Sequence, residues 1–221
     1  MISTAVIMSA LELGCVYALV ALALFLSFRV LNIADMTTDG TFTLGCAVSA
    51  TVAVSGHPWL ALPAAMIAGA AAGAITALLQ TKMRIPSILA GIITNTGLYT
   101  VNLAVMGFSS NVNMLKTDTI FTLLKPVLGS SYKLIPAAVL AVLTAIALIL
   151  FLKTRLGLSI RATGDNPDMV RASSINTAFT VTIGLCLANS LTALSGAVLA
   201  QYQKTADINL GSSKNPVFLS S

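Results

Sequence analysis

The run Ile135–Leu152 contains no charged residue, and its one hydroxyl belongs to Thr144. A helix of about 20 such residues crosses the ~30 Å hydrocarbon layer of a bilayer. Comparable runs recur at Ile2–Phe28, Leu60–Leu79, Ile88–Phe108 and Thr177–Leu199. In hydrocarbon a backbone must satisfy its own N–H and C=O groups, so these runs read as spanning helices. The chain is 57% hydrophobic and 9% charged, against about 25% charged in soluble domains. The expectation is an all-α integral membrane protein, a polytopic bundle of about six transmembrane segments with a broken second helix. The first run is read as a mature span. The first cation is Arg29, so no positive region precedes it, and Ala5–Phe28 is too long for a secretory core. Glu12 fits an interfacial or helix-contacting carboxylate; deeper placement would make it functional.

The second segment departs from the apolar rule. Arg29–Gly45 holds Asn32, Asp35, Thr37, Thr38, Asp39 and Thr41, and the following run Phe42–Val54 is too short to cross alone. Irregular backbone at membrane depth is tolerated only inside protein or beside water. The segment therefore reads as lining a pathway or the central packing seam, with an ordinary turn at Asp39-Gly40 as the alternative. In the fourth span Asn95, Tyr99 and Asn102 fall at i, i+4 and i+7, hence on one face. A polar stripe on a span faces the bundle, to bond another helix or to line a path. The sixth span adds Asn189, with Ser190, Thr192 and Ser195. The candidate pathway-lining residues are Asn32, Asp35, Asp39, Asn95, Tyr99, Asn102 and Asn189. Gly69-xxx-Gly73 in the third span is a close-packing signal.

Charge gives the topology. Lys82 and Arg84 mark the loop Gln80–Ser87 as cytoplasmic. Ser109–Leu134 is then external, with Ile120–Leu124 as a small helix or re-entrant piece, and Met1 is outside. The polar island Lys153–Asn176 is cytoplasmic on both span counting and its own cations, Lys153, Arg155, Arg161 and Arg171. Asn166 can cap a helix, Pro167 suits its first position, and Asp168 complements its dipole. The island reads as a short helix presented to a soluble partner. The chain emerges again at Gln201–Lys204, and the tail Gly211–Ser221 has no span.

Catalytic and metal signatures are absent. There is no phosphate loop, GxGxxG, HExxH or Gly-x-Ser-x-Gly. His57 is the only histidine and reads as an interfacial residue beside Pro58 and Trp59. Cys15, Cys46 and Cys186 lie in apolar segments without metal or redox spacing. The expectation is no enzyme, no cofactor and no metal. The net charge of +5 comes from scattered cations between spans, which suits a lipid leaflet and not nucleic acid.

Thr154, Gly157, Arg161, Ala162, Gly164, Asn166 and Pro167 follow the pattern T-x-x-G-x-x-x-R-A-x-G-x-N-P. The island thereby resembles the cytoplasmic coupling loop of bacterial ABC importer permeases of the branched-chain amino acid, ribose and simple-sugar family. Tyr17–Leu22 is similar to that family's first span. Leu31–Asp35 with Gly40-Thr41-Phe42 and Leu44-Gly45 is similar to its broken second segment. The resemblance covers most of residues 1–212, a single transmembrane permease domain. It departs at Ser174-Ile175-Asn176, where the family has Gly-Ile-Asn, and at Arg171-Ala172, where alanine comes one position late. Family permeases continue beyond Gln201–Gly211, so the expectation is a truncated chain or an altered tail over 213–221.

The resemblance implies a permease subunit of an ATP-driven importer for a small polar, amino-acid-like solute in the bacterial inner membrane. It implies a second permease subunit, as a homodimer, cytoplasmic ATP-binding subunits and an extracytoplasmic solute-binding protein. Gly157, Arg161, Ala162, Gly164, Asn166, Pro167 and Arg171 would then form the coupling surface, Arg155 with them. The competing reading is a stand-alone channel or ion-coupled secondary transporter. The spans supply it with no selectivity-filter motif and no ion-coupling carboxylate deep in a helix.

Overall fold

The computed structural model describes residues 4–115, 117–128 and 132–210. Met1, Lys116 and the tail 211–221 lie outside the described residues. Helix α1 (Thr4–Leu24) runs on through a π-helical turn, Phe25–Val30. Then come α2 (Thr38–Val54), α3 (Pro58–Thr81) and α4 (Ser87–Val105). A short strand β1 (Asn111–Asn113) and α5 (Ile120–Leu128) lead into α6 (Leu134–Lys153). The island folds as α7 (Arg155–Asp165) and α8 (Pro167–Ala172). The long α9 (Thr177–Gln203) and β2 (Thr205–Asp207) follow, with β2 antiparallel to β1. The structure is an all-α polytopic bundle.

Five of these helices are long and apolar enough to cross a membrane: α1 with its π turn, α3, α4, α6 and α9. Helix α2 is shorter and largely buried, packed by α3, α4 and α9. It begins at Thr38, so Asp39 and Gly40 form its first turn and make no bend. The segment after the π turn folds back into the bundle instead of leaving it. Ser27 and Ile33 bond there, N–H to carbonyl at 3.1 Å and hydroxyl to carbonyl at 3.0 Å.

Helix α9 is the central post. On it the neighbours approach by backbone, because small residues meet there. A Cβ on Gly45 of α2 would collide with the Ala193 carbonyl, and one on Gly69 of α3 would meet the Asn189 carbonyl. The Gly69-xxx-Gly73 signal is thus part of the α3–α9 contact, since Gly73 lies on Leu185. Polar side chains bond across the same seam. Cys46 donates to the Gly196 carbonyl at 3.1 Å, Ser49 to Ala197 at 3.2 Å, and Ser195 to Val16 of α1 at 2.8 Å.

At the end opposite the island, Glu12 makes a helix contact, accepting from the Tyr202 hydroxyl at 2.8 Å. Gln201 differs from its expected place at an emerging chain end, since it is buried. Its amide donates to Ser49 and to the Pro58 carbonyl, and its oxygen accepts from the Ile120 N–H at 3.1 Å. That N–H opens α5 and has no partner within the helix. One side chain thereby ties α2, α3 and α5 to α9.

Gly45→Ala is expected to destabilise the protein by about 2 kcal/mol, because the α2–α9 backbones cannot separate without opening the seam. Gly97 has open space where its Cβ would lie. Gly97→Ala is expected to be neutral or stabilising by up to about 1 kcal/mol. Unfolding midpoints of the two variants in the same detergent check this contrast.

Candidate functional site

Two regions gather the polar side chains. The first is the island hairpin, α7 and α8, at one end of the bundle. Thr154 caps α7, its hydroxyl accepting from the Gly157 N–H at 3.3 Å. Asn166 ends α7 and caps α8, its side-chain oxygen accepting from the N–H groups of Asp168 and Met169, each at 3.1 Å. Pro167 occupies the first turn of α8, where its missing N–H costs nothing. Arg171 pairs with Asp168 at 3.2 Å and bonds Thr177 at the start of α9. That pair is solvated and worth at most about 1 kcal/mol.

Helix α8 ends in a left-handed residue. The Ser174 N–H donates to Arg171 at 3.1 Å and the Ile175 N–H to Val170 at 3.3 Å, the paired bonds of a Schellman ending. Ser174 carries φ 61°. Glycine takes that conformation without penalty, whereas a serine there is strained. Asn176 then caps α9, accepting from Ala178 and Phe179.

The hairpin is bolted to the bundle from beneath. A Cβ on Gly164 would strike the Val30 carbonyl of the π turn. Gly157 likewise presses on the end of α6. Ile160 is 1% exposed among Leu26, Val30 and Leu148, and Thr163 bonds Thr180 of α9 at 2.9 Å. Gly157 and Gly164 therefore sit on internal contacts. Arg161, Ala162, Asn166, Pro167 and Arg171 face outward, as does Arg155. Two further residues of the hairpin stand out in the structure. Leu158 and Met169 are 55% and 69% exposed on this polar hairpin. Their signal is an apolar side chain with no core to enter.

The second region is a cleft of about 360 Å³ between α2, α4 and the segment after β2. Asp39, Asn95, Tyr99 and Asn102 line it, joined by Thr43, Thr96 and Asn209. The α4 stripe thus meets the first turns of α2. Asn102 is 2% exposed, and its amide donates to the Gly40 carbonyl at 3.1 Å. The remaining candidates lie elsewhere. Asn32 is exposed in a left-handed turn. Asp35 and Asn189 are buried and bonded to each other, Asn189 Nδ2 to Asp35 Oδ2 at 2.7 Å. The Thr41 hydroxyl donates to Asn189 Oδ1 at 2.8 Å, and the Thr37 N–H and hydroxyl donate to Asp35 Oδ1.

A multi-pass bundle with a capped polar hairpin at one end and a polar cleft among its helices has the build of a membrane permease. The chain belongs to the family described as branched-chain amino acid transport system, permease component, which matches residues 6–217. It is therefore an ABC-transporter permease, a multi-pass protein of the inner membrane. It is 32% identical over 206 residues to the tyrosine transport system permease protein of Clostridioides difficile (strain R20291), covering 93% of this chain and 68% of that one. It is 34% identical over 206 residues to an uncharacterized protein of Rickettsia prowazekii (strain Madrid E), covering 93% and 71%. No solved structure matches it significantly.

Ser174→Gly is expected to stabilise the end of α8 by about 1 kcal/mol. Asn166→Ala is expected to weaken its start by about 1 kcal/mol. Amide hydrogen exchange across residues 166–176 reads both, slower in the first variant and faster in the second.

Proposed function

We propose that this chain is the membrane subunit of an ATP-driven importer, with the α7–α8 hairpin as the surface on which a cytoplasmic ATP-binding subunit docks. The observation that carries the reading is the construction of the hairpin. It is capped at three helix starts, by Thr154, Asn166 and Asn176, and bolted to the π turn and α9 through Gly164 and Thr163. Such a piece moves as a rigid body with the helices behind it, which is what alternating access driven from outside the membrane requires. Leu158 and Met169 supply apolar anchors, with Arg155, Arg161 and Arg171 as a cationic surround.

In this reading the hairpin and the loop near Arg84 are cytoplasmic, and β1, α5 and β2 face the solute-binding protein. An ABC permease implies ATP-binding and solute-binding components. A second copy of the permease completes the pathway, and the chain itself performs no catalysis. The cleft between α2 and α4 is this subunit's share of that pathway. The solute is amino-acid-like, the class for which the Clostridioides difficile relative is named.

The test is co-purification with the ATP-binding subunit expressed alongside it. Leu158→Glu with Met169→Glu is expected to lower recovery of that subunit by about tenfold or more, because buried apolar anchors dominate interface energies. The permease should remain monodisperse, since both side chains are exposed. Uptake driven by an ion gradient in vesicles that lack ATP would contradict the reading.

A further inference from the structure

A cavity of about 800 Å³ lies between the loop that joins α3 to α4 and the start of α9. Its lining is of two kinds. Arg84 enters from the loop and Arg171 from the last turn of α8. No Asp or Glu lines it among the described residues. Ile85, Ala178 and Val181 add an apolar wall. Both arginines have donors to spare. Arg171 turns Nε to the Thr177 hydroxyl and one terminal nitrogen to Asp168, each at 3.2 Å, and its other terminal nitrogen has no partner among the described residues. Asp168 is 87% exposed, so water screens most of its charge from the cavity. Arg84 forms no ion pair among the described residues. Two cations brought to one cavity repel unless an anion lies between them.

The backbone explains how a cation and an apolar side chain come to share this wall. At the end of α3 the Ile85 N–H donates to the Leu79 carbonyl at 3.2 Å, with Arg84 left-handed at φ 55°. The turn sets Arg84 and Ile85 side by side before Pro86 leads into α4. Exposed apolar side chains follow the lining residues along the chain, Met83 and Ile88 beside the loop and Phe179 beside Ala178.

We infer that this cavity seats one anionic phospholipid, its phosphate between Arg84 and Arg171 and the first part of an acyl chain on Ile85 and Val181. Guanidinium groups match phosphate oxygens in geometry and in charge. A headgroup of net negative charge fits better than a zwitterionic one, because the lining holds two cations and no carboxylate. A free phosphate would use the arginines and leave the apolar wall in water. The exposed Met83, Ile88 and Phe179 put the rim of the cavity where hydrocarbon begins. The inference stands apart from the importer reading, since a lipid seat needs no ATP-binding partner.

The test uses the full chain in mild detergent, with native mass spectrometry to count bound lipid. Dioleoylphosphatidylglycerol is compared with dioleoylphosphatidylcholine, which has the same chains and no net charge. Glycerol 3-phosphate supplies the phosphate without chains. Phosphatidylglycerol is expected to bind about tenfold or more tightly than either, the range of a charge-assisted hydrogen bond. Arg84→Gln, at an exposed side chain, is expected to weaken phosphatidylglycerol by about tenfold or more and leave phosphatidylcholine unchanged. Lys153→Gln, at an exposed cation outside the cavity, is expected to change neither. Equal binding of the two lipids by the wild-type protein overturns the assignment without any variant. Equal losses in Arg84→Gln and Lys153→Gln would reduce the effect to diffuse surface charge and overturn it. Glycerol 3-phosphate binding as tightly as the lipid would also overturn it, in favour of a free phosphate. Loss of a co-purified ATP-binding subunit in Arg84→Gln, with lipid binding unchanged, would overturn it in favour of a protein partner.

Discussion

The bond between Asp35 and Asn189 holds the middle of the molecule. Asp35 is 1% exposed and forms no ion pair among the described residues. A carboxylate in that position is costly unless hydrogen bonds replace its water. Here they do. One oxygen accepts from the Thr37 N–H and hydroxyl, the other from the Asn189 amide. Asn189 in turn accepts from Thr41, and Thr76 of α3 approaches Thr37 at 3.5 Å. The network joins α2, α3, α9 and the segment before α2. That segment carries non-helical backbone inside the bundle, which is stable only because it is buried in protein and its polar groups are met.

The network also connects the polar hairpin and the cleft. The hairpin presses on the π turn through Gly164 and bonds α9 through Thr163. The π turn runs directly into the segment that Asp35 pins to α9. Four residues past Asp35, α2 supplies Asp39 to the cleft. Packed contacts run from α7 and α8 toward the cleft by two routes, α9 and the π turn, which meet at Asn189. A continuous α1–α2 connection would offer no such joint. The π turn and the buried segment are the irregular elements of an otherwise regular bundle.

The readable parts of the sequence were those set by local rules. Apolar length found the spans, and the caps at Asn166 and Asn176 are one-residue signals. The i, i+4, i+7 stripe on α4 placed Asn95, Tyr99 and Asn102 on one face, and three short steps along a helix decide that geometry. The interior position of Asp35 was not readable in the same way. It pairs with a residue 154 positions away, and no periodicity reports such a contact. The sequence grouped Asp35, Asp39 and Asn189 as one polar set. The fold divides them, because Asp35 precedes α2 and turns to α9 while Asp39 lies in the first turn and faces α4. Gln201 looked like a chain end and is a buried crosslink, since its partners come from three other elements. Leu158 and Met169 carry no signal in the sequence alone, because an apolar residue in a short amphipathic helix is ordinarily a core contact.

Asp35 and Asn189 act as a coupled pair and not as two separate polar residues. A double-mutant cycle with Asp35→Ala and Asn189→Ala, read from reversible unfolding in mixed micelles, measures that coupling directly. The expected coupling energy is about 1.5 kcal/mol or more, the scale of a buried hydrogen bond to a charged group. Additive effects, with coupling within about 0.5 kcal/mol of zero, would contradict it.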